Sequence, residues 1–130
     1  MAKINEFIKT DDFKKEKHVP VIELPMQVKA GEEFEVRVSV GKEIKHPNVT
    51  EHFIAWIELF YNSSDGKTVY HLGKSEFLSH GESVEGPNKG PAHTEPSATF
   101  KVKLEKPGLL VAISYCNIHG LWENSVEVKF

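Results

Sequence analysis

Period-two alternation runs through most of this chain and predicts strands rather than helices. Phe34, Val36, Val38 and Val40 alternate with Glu35, Arg37 and Ser39, as in a strand buried on one face. Phe53 to Tyr61 is longer and mainly apolar and reads as a central strand. The Asn62-Ser63-Ser64-Asp65-Gly66 turn, with its Asp-Gly hairpin signal, sends residues 68–73 back beside it. Ala98, Phe100, Val102 and Leu104 alternate with Thr99, Lys101 and Lys103. After the Lys106-Pro107-Gly108 turn, Leu109 to Tyr115 is apolar enough for an inner strand. Val126, Val128 and Phe130 predict a final strand, and Val21 to Leu24 a short early one ended by Pro25. Residues 81–97, rich in Pro and Gly, read as a long loop with at most one brief strand. Only Ile4, Phe7 and Ile8 have helical spacing, so residues 1–15 are expected to form a short helix or a docked N-terminal arm. About seven short strands punctuated by turns predict an all-β chain folded as an immunoglobulin-like antiparallel β-sandwich. No repeat or composition break divides residues 1–130, and one domain is expected.

Charge narrows the partners. A formal net charge of −3 gives no general reason to expect nucleic acid or an anionic membrane. Met1 to Glu6 lacks the apolar core of a signal peptide, and no apolar run approaches the ~20 residues a membrane helix needs. A cytoplasmic protein is expected. The single cysteine, Cys116, fits a reducing compartment and cannot close an intramolecular disulfide.

That cysteine directs attention to the chemistry. Cys116-Asn117-Ile118-His119-Gly120-Leu121-Trp122 places a histidine three positions after the thiol, just beyond a predicted strand, where both side chains can turn onto one ion. His46 and His52 bracket a Pro-Asn-Val-Thr-Glu connector that cannot be a regular strand, and His18 sits in Glu16-Lys17-His18-Val19-Pro20. Each has a bland reading: Cys116 as a small buried hydrophobe, the histidines as loop residues. His71, His80 and His93 have no partner pattern and are assigned to structure or surface. The combination is more telling than any member, because four imidazoles and one thiol lie at strand ends and loops. Structural zinc usually takes only four ligands, whereas five nitrogen and sulfur donors suit six-coordinate iron with one open position.

Glu16-Lys17-His18-Val19-Pro20, His46-Pro47-Asn48 with Glu51-His52 and Trp56, and Cys116-Asn117-x-His119-Gly120-x-Trp122 together resemble the signatures of the superoxide reductases. The likeness runs from about residue 10 to the C-terminus and is to the one-iron, neelaredoxin type, the iron-binding domain of the desulfoferrodoxin family. With Cys116 the only cysteine in these 130 residues, the small four-cysteine iron domain of desulfoferrodoxins is not expected here.

The resemblance implies an enzyme that reduces superoxide by one electron to hydrogen peroxide, without the oxygen-producing half of dismutation. It implies mononuclear iron held by His18, His46, His52 and His119 equatorially and by Cys116 axially. It further implies that Lys17 attracts superoxide and orders the proton-delivering water, and that Glu16 binds the ferric ion once peroxide has left. Rubredoxin or a similar small redox protein is the implied electron donor, and a homotetramer the implied assembly. Two other readings compete. A blue-copper electron carrier is also a β-sandwich with an early His and a late Cys…His, but it usually adds an axial Met soon after the last His. Here Met1 and Met26 are the only methionines. A non-catalytic immunoglobulin-like module would leave the histidines incidental.

Overall fold

The alternation is realised as seven strands in two antiparallel sheets in the computed structural model, which describes residues 1–130. In order they are β1 (Val21–Glu23), β2 (Glu33–Ser39), β3 (Ile54–Ser63), β4 (Val69–Glu76), β5 (Ser97–Lys103), β6 (Gly108–Cys116) and β7 (Gly120–Val128). One sheet is ordered β1-β2-β5 and the other β4-β3-β6-β7. The expected antiparallel β-sandwich is present.

The core follows from the pleat. On β2 the inward residues Phe34, Val36 and Val38 face Val102, Phe100 and Ala98 across the β5 ladder. From the other sheet, Ile57 and Leu59 of β3 and Leu110 and Ala112 of β6 close the interior, all fully buried. Burying each of the larger aliphatic side chains is worth roughly 1.5–3 kcal/mol, and one continuous cluster joins both sheets.

Two elements differ from their sequence pattern. β7 begins at Gly120, six residues before the first residue of the predicted alternation. Polar Glu123, Asn124 and Ser125 hide its period, yet they continue the β6 ladder as partners of Ile113, Ala112 and Val111. Cys116 therefore pairs with Gly120 across a tight hairpin, whose closure needs the left-handed φ of 80° that Gly120 adopts without cost. At the N-terminus only a 3-10 turn, Ile4–Glu6, forms, with no buried residue. The arm is held instead by its backbone: Lys9 N–H donates to the Leu121 carbonyl at 3.1 Å, and Glu123 N–H to the Lys9 carbonyl at 2.8 Å.

One end of the sandwich gathers four chain segments. β6 finishes there, β3 begins there, residues 18–20 lead into β1, and the connection after β2 passes over them. A bulge opens the β3–β6 register between Ile54 and Trp56, beside the pairing of Ile54 with Cys116. Bulges of this kind re-aim side chains next to functional sites.

Candidate metal centre

Residues 18–20 reach this end buried, with His18 5% and Val19 1% exposed. The Ser114 hydroxyl donates to the His18 carbonyl at 3.1 Å and Asn124 Nδ2 to the Pro20 carbonyl at 3.0 Å, so β6 and β7 fix the segment from beneath. Just upstream, the Asp12 carbonyl accepts the N–H groups of Lys15 and Glu16, both at 2.9 Å, which turns the arm toward the site.

The His46 loop depends on a backbone conformation. Gly41 has φ +87°, and a Cβ there would lie 2.7 Å from the backbone nitrogen of His46. Gly41→Ala is therefore expected to cost about 2 kcal/mol or more, from left-handed strain plus the close approach. A chemical denaturation curve checks this; an unchanged midpoint would contradict it.

The Cys116–His119 hairpin is clasped to the His52 segment by Asn117. Its Oδ1 accepts the Phe53 N–H at 2.9 Å, its Nδ2 donates to the Glu51 carbonyl at 3.0 Å, and its own N–H donates to the Phe53 carbonyl at 3.2 Å.

Donor atoms from distant parts of the chain converge here. One donor atom each from His18, His52, Cys116 and His119 lie within 4.8 Å of one another. His119 Nδ1 is 3.0 Å from His18 Nε2, 3.2 Å from His52 Nε2 and 3.7 Å from Cys116 Sγ. The fully buried Cys116 sulfur also accepts the His119 backbone N–H at 3.4 Å. His46 completes the ring of imidazoles, with its centroid 4.8 Å from those of both His18 and His52.

Proton positions follow from the partners. Glu16 Oε1 lies 2.5 Å from His18 Nδ1, and an ionised carboxylate only accepts, so Nδ1 carries the proton and Nε2 offers its lone pair to the cluster. The same logic applies to His46, whose Nδ1 faces the Pro47 carbonyl at 2.7 Å. His46 Nε2 is buried without any hydrogen-bond partner. A buried lone pair without a partner is costly unless something binds it.

Electrostatics keep these rings in their ligand form. Burial lowers the His46 pKa to about 4, only partly opposed by the Pro47 carbonyl. Burial also lowers His18, against the raising effect of the Glu16 carboxylate, and lowers His52, with His119 and His18 adding to it. For Glu16, burial raises the carboxyl, but the hydrogen bonds from the His18 ring and N–H outweigh it and the net shift is downward. Folded pKa values below the unfolded ones mean that the unfolded chain binds protons first. The metal-free protein should thus hold this part of its stability above about pH 6.5 and lose it as pH falls toward about 4. Thermal melts of metal-free protein between pH 7.5 and 4 test this, and a flat profile would contradict it.

The donor set fits a transition ion. Two neighbouring ligands held at ~2.1 Å from one first-row metal lie ~3 Å apart, close to the His18–His119 and His52–His119 separations. Imidazole suits iron, zinc and copper alike, and thiolate favours a softer ion. The orphaned His46 nitrogen, on a ring packed against His18 and His52, is free to act as a donor beyond the four that converge, more than a tetrahedral zinc site takes. Both methionines, Met1 and Met26, are fully exposed, which leaves a blue-copper axial ligand unsupplied.

Above the cluster an open cleft of about 500 Å³ is lined by Lys15, Glu16, Lys17, His18, Ile44, His119 and Trp122. Lys17 is among the residues on this cleft. Glu16 lies behind His18, on its Nδ1, outside the group of converging donors. Trp122 stacks on His18 at 5.0 Å and donates from Nε1 to the His119 carbonyl at 3.3 Å, a support the sequence did not single out. Neither did it single out the Asn117 clasp, although both residues sit inside the recognised motif.

An immunoglobulin-like sandwich carrying a mononuclear His/Cys metal centre at one end defines the class. The Desulfoferrodoxin family model matches residues 10–125, and the chain belongs to the desulfoferrodoxin family. It is 53% identical to the superoxide reductase of Pyrococcus furiosus over 126 residues, covering 97% of this chain and 99% of that protein. A crystal structure from Thermotoga maritima superposes with a TM-score of 0.95 at 55% identity, covering 99% of this chain and 98% of that one. The superoxide reductase (neelaredoxin) of Archaeoglobus fulgidus in its reduced form gives 0.88 at 53% identity, with 95% and 98% covered.

Proposed function

We propose that this chain is a superoxide reductase, in which residues 1–130 serve a single mononuclear iron held by His18, His46, His52, His119 and Cys116. The convergence of these donors, with the His46 nitrogen left for a fifth bond, carries the reading. Iron, when bound, supplies the one electron that converts superoxide, with two protons, to hydrogen peroxide.

The side chains do the rest. The Lys17 ammonium, with Lys15 beside it on the cleft, draws the anion toward the open face and orders the water that delivers protons. The His119 N–H bonded to the Cys116 sulfur draws electron density from it, moderating its donation. Glu16 orients His18 through Nδ1 and, released from that ring, is the carboxylate for the oxidised ion, since hard oxygen ligands suit the higher charge.

The family relationship supports rubredoxin or a similar small redox protein as the donor. A homotetramer is supported by the outer face of the β4-β3-β6-β7 sheet, where Trp56, Phe60, Val111, Ile113 and Tyr115 remain only half-buried. No helix is long and apolar enough to cross a membrane, and a metal-bound thiol fits the reducing cytoplasm.

Purified protein should contain one iron per chain and develop a thiolate-to-iron charge-transfer colour on oxidation. Protein reconstituted with iron that stays colourless would overturn the assignment.

A further inference from the structure

The connection between β4 and β5 buries a histidine outside the cluster. His80 is 2% exposed, and both of its ring nitrogens meet oxygen acceptors. Nδ1 lies 2.8 Å from Asn48 Oδ1 and Nε2 2.6 Å from the Phe77 carbonyl. The Asn48 amide is oriented by its own Nδ2, which donates to the Thr94 carbonyl at 3.0 Å, so its oxygen faces His80. The His80 ring lies flat on Phe53, with centroids 3.7 Å apart and planes at 9°. The His80 carbonyl accepts the Thr50 hydroxyl at 3.0 Å.

His80 therefore touches Asn48, Thr50 and Phe53, residues between or next to His46 and His52, with Asn88 also on Thr50 and Asn117 on Phe53. Within 46–53 the only backbone hydrogen bonds are the two between Val49 and His52, each 3.1 Å. So short a loop cannot set the orientation of two imidazoles alone; it needs outside support. A histidine meets that need because its flat ring presents a polar nitrogen on each of two edges, one of them an N–H donor, together with an apolar face.

We infer that His80 is a positioning residue for the metal centre, fixing His46 and His52 through Asn48, Thr50 and Phe53. The inference rests on the proposed iron reading of the His/Cys cluster.

The test is a cobalt(II) titration of metal-free full-length protein, reading affinity and the thiolate-to-cobalt charge-transfer band. Wild type should bind one cobalt with that band; if it does not, the metal reading itself falls, and this inference with it. Given that binding, His80→Phe and Asn48→Ala should each weaken affinity about tenfold or more and shift the band. Asn48→Asp keeps an acceptor for His80 but loses the donor to the Thr94 carbonyl, so its affinity should fall between wild type and Asn48→Ala. The double variant H80F/N48A should bind no more weakly than the worse single, because both act through one contact. Wild-type affinity and band in Asn48→Ala, or additive losses in the double variant, would overturn the proposal. The Asn48 pair keeps it testable where His80→Phe does not fold, since His80 is untouched there.

Discussion

Oxidised Cys116→Ser protein is expected to lack the charge-transfer colour altogether and to bind iron at least tenfold more weakly. A serine hydroxyl is a far poorer metal ligand at neutral pH than a thiolate, and the visible band requires sulfur. Serine is close in size to cysteine, its hydroxyl leaves an acceptor near the His119 N–H that now donates to sulfur at 3.4 Å, and the site is fully buried. The fold should accordingly survive with a loss of about 1–3 kcal/mol from burying a hydroxyl. Visible absorption with parallel iron analysis and a thermal melt separates the two effects. A Cys116→Ser protein that keeps the colour would remove Cys116 from the coordination sphere.

Lys17→Ala is expected to slow superoxide reduction about tenfold at low ionic strength, and by less as salt is added. Lys15 and Lys17 both line the open cleft. Loss of one nearby cation removes attraction that, for exposed groups, screens over about 8–10 Å at ordinary ionic strength. Lys129→Ala is the control, because Lys129 lies beyond the far end of β7 from the site and pairs with Glu127. Its rate should match wild type at every salt concentration. If Lys17→Ala and Lys129→Ala give the same rate and the same salt dependence, Lys17 has no part in guiding substrate.

Much of this was legible in the sequence, for identifiable physical reasons. The alternation of β2, β5 and the apolar run of β3 mark buried faces, and buried faces leave a periodic trace. The start of β7 left none, because Glu123, Asn124 and Ser125 gain their strand conformation from pairing with β6 rather than from burying one face. The four converging residues, His18, His52, Cys116 and His119, were readable because each stands in a distinctive local motif, as does His46 packed beside them. Their supports were not. His80 sits in a Gly- and Pro-rich loop with no periodicity, and only folding brings it against Asn48 and Phe53. Asn117 and Trp122 lie in plain view beside Cys116, yet nothing in their spacing reveals that one clasps the Glu51–Phe53 segment and the other stacks on His18. Glu16 was read toward the ion and is found on His18 Nδ1, a placement that depends on how the arm turns at Asp12.

The proposed five-donor iron centre should reduce superoxide, rather than dismutate it or merely store metal. Pulse radiolysis of the reduced, iron-loaded protein tests this most directly, following superoxide loss, hydrogen peroxide and dioxygen together. One peroxide formed for each superoxide consumed, one iron oxidised for each, and no dioxygen released is the predicted result. Dioxygen appearing at half the superoxide consumed, or superoxide decaying no faster than in buffer, would contradict it.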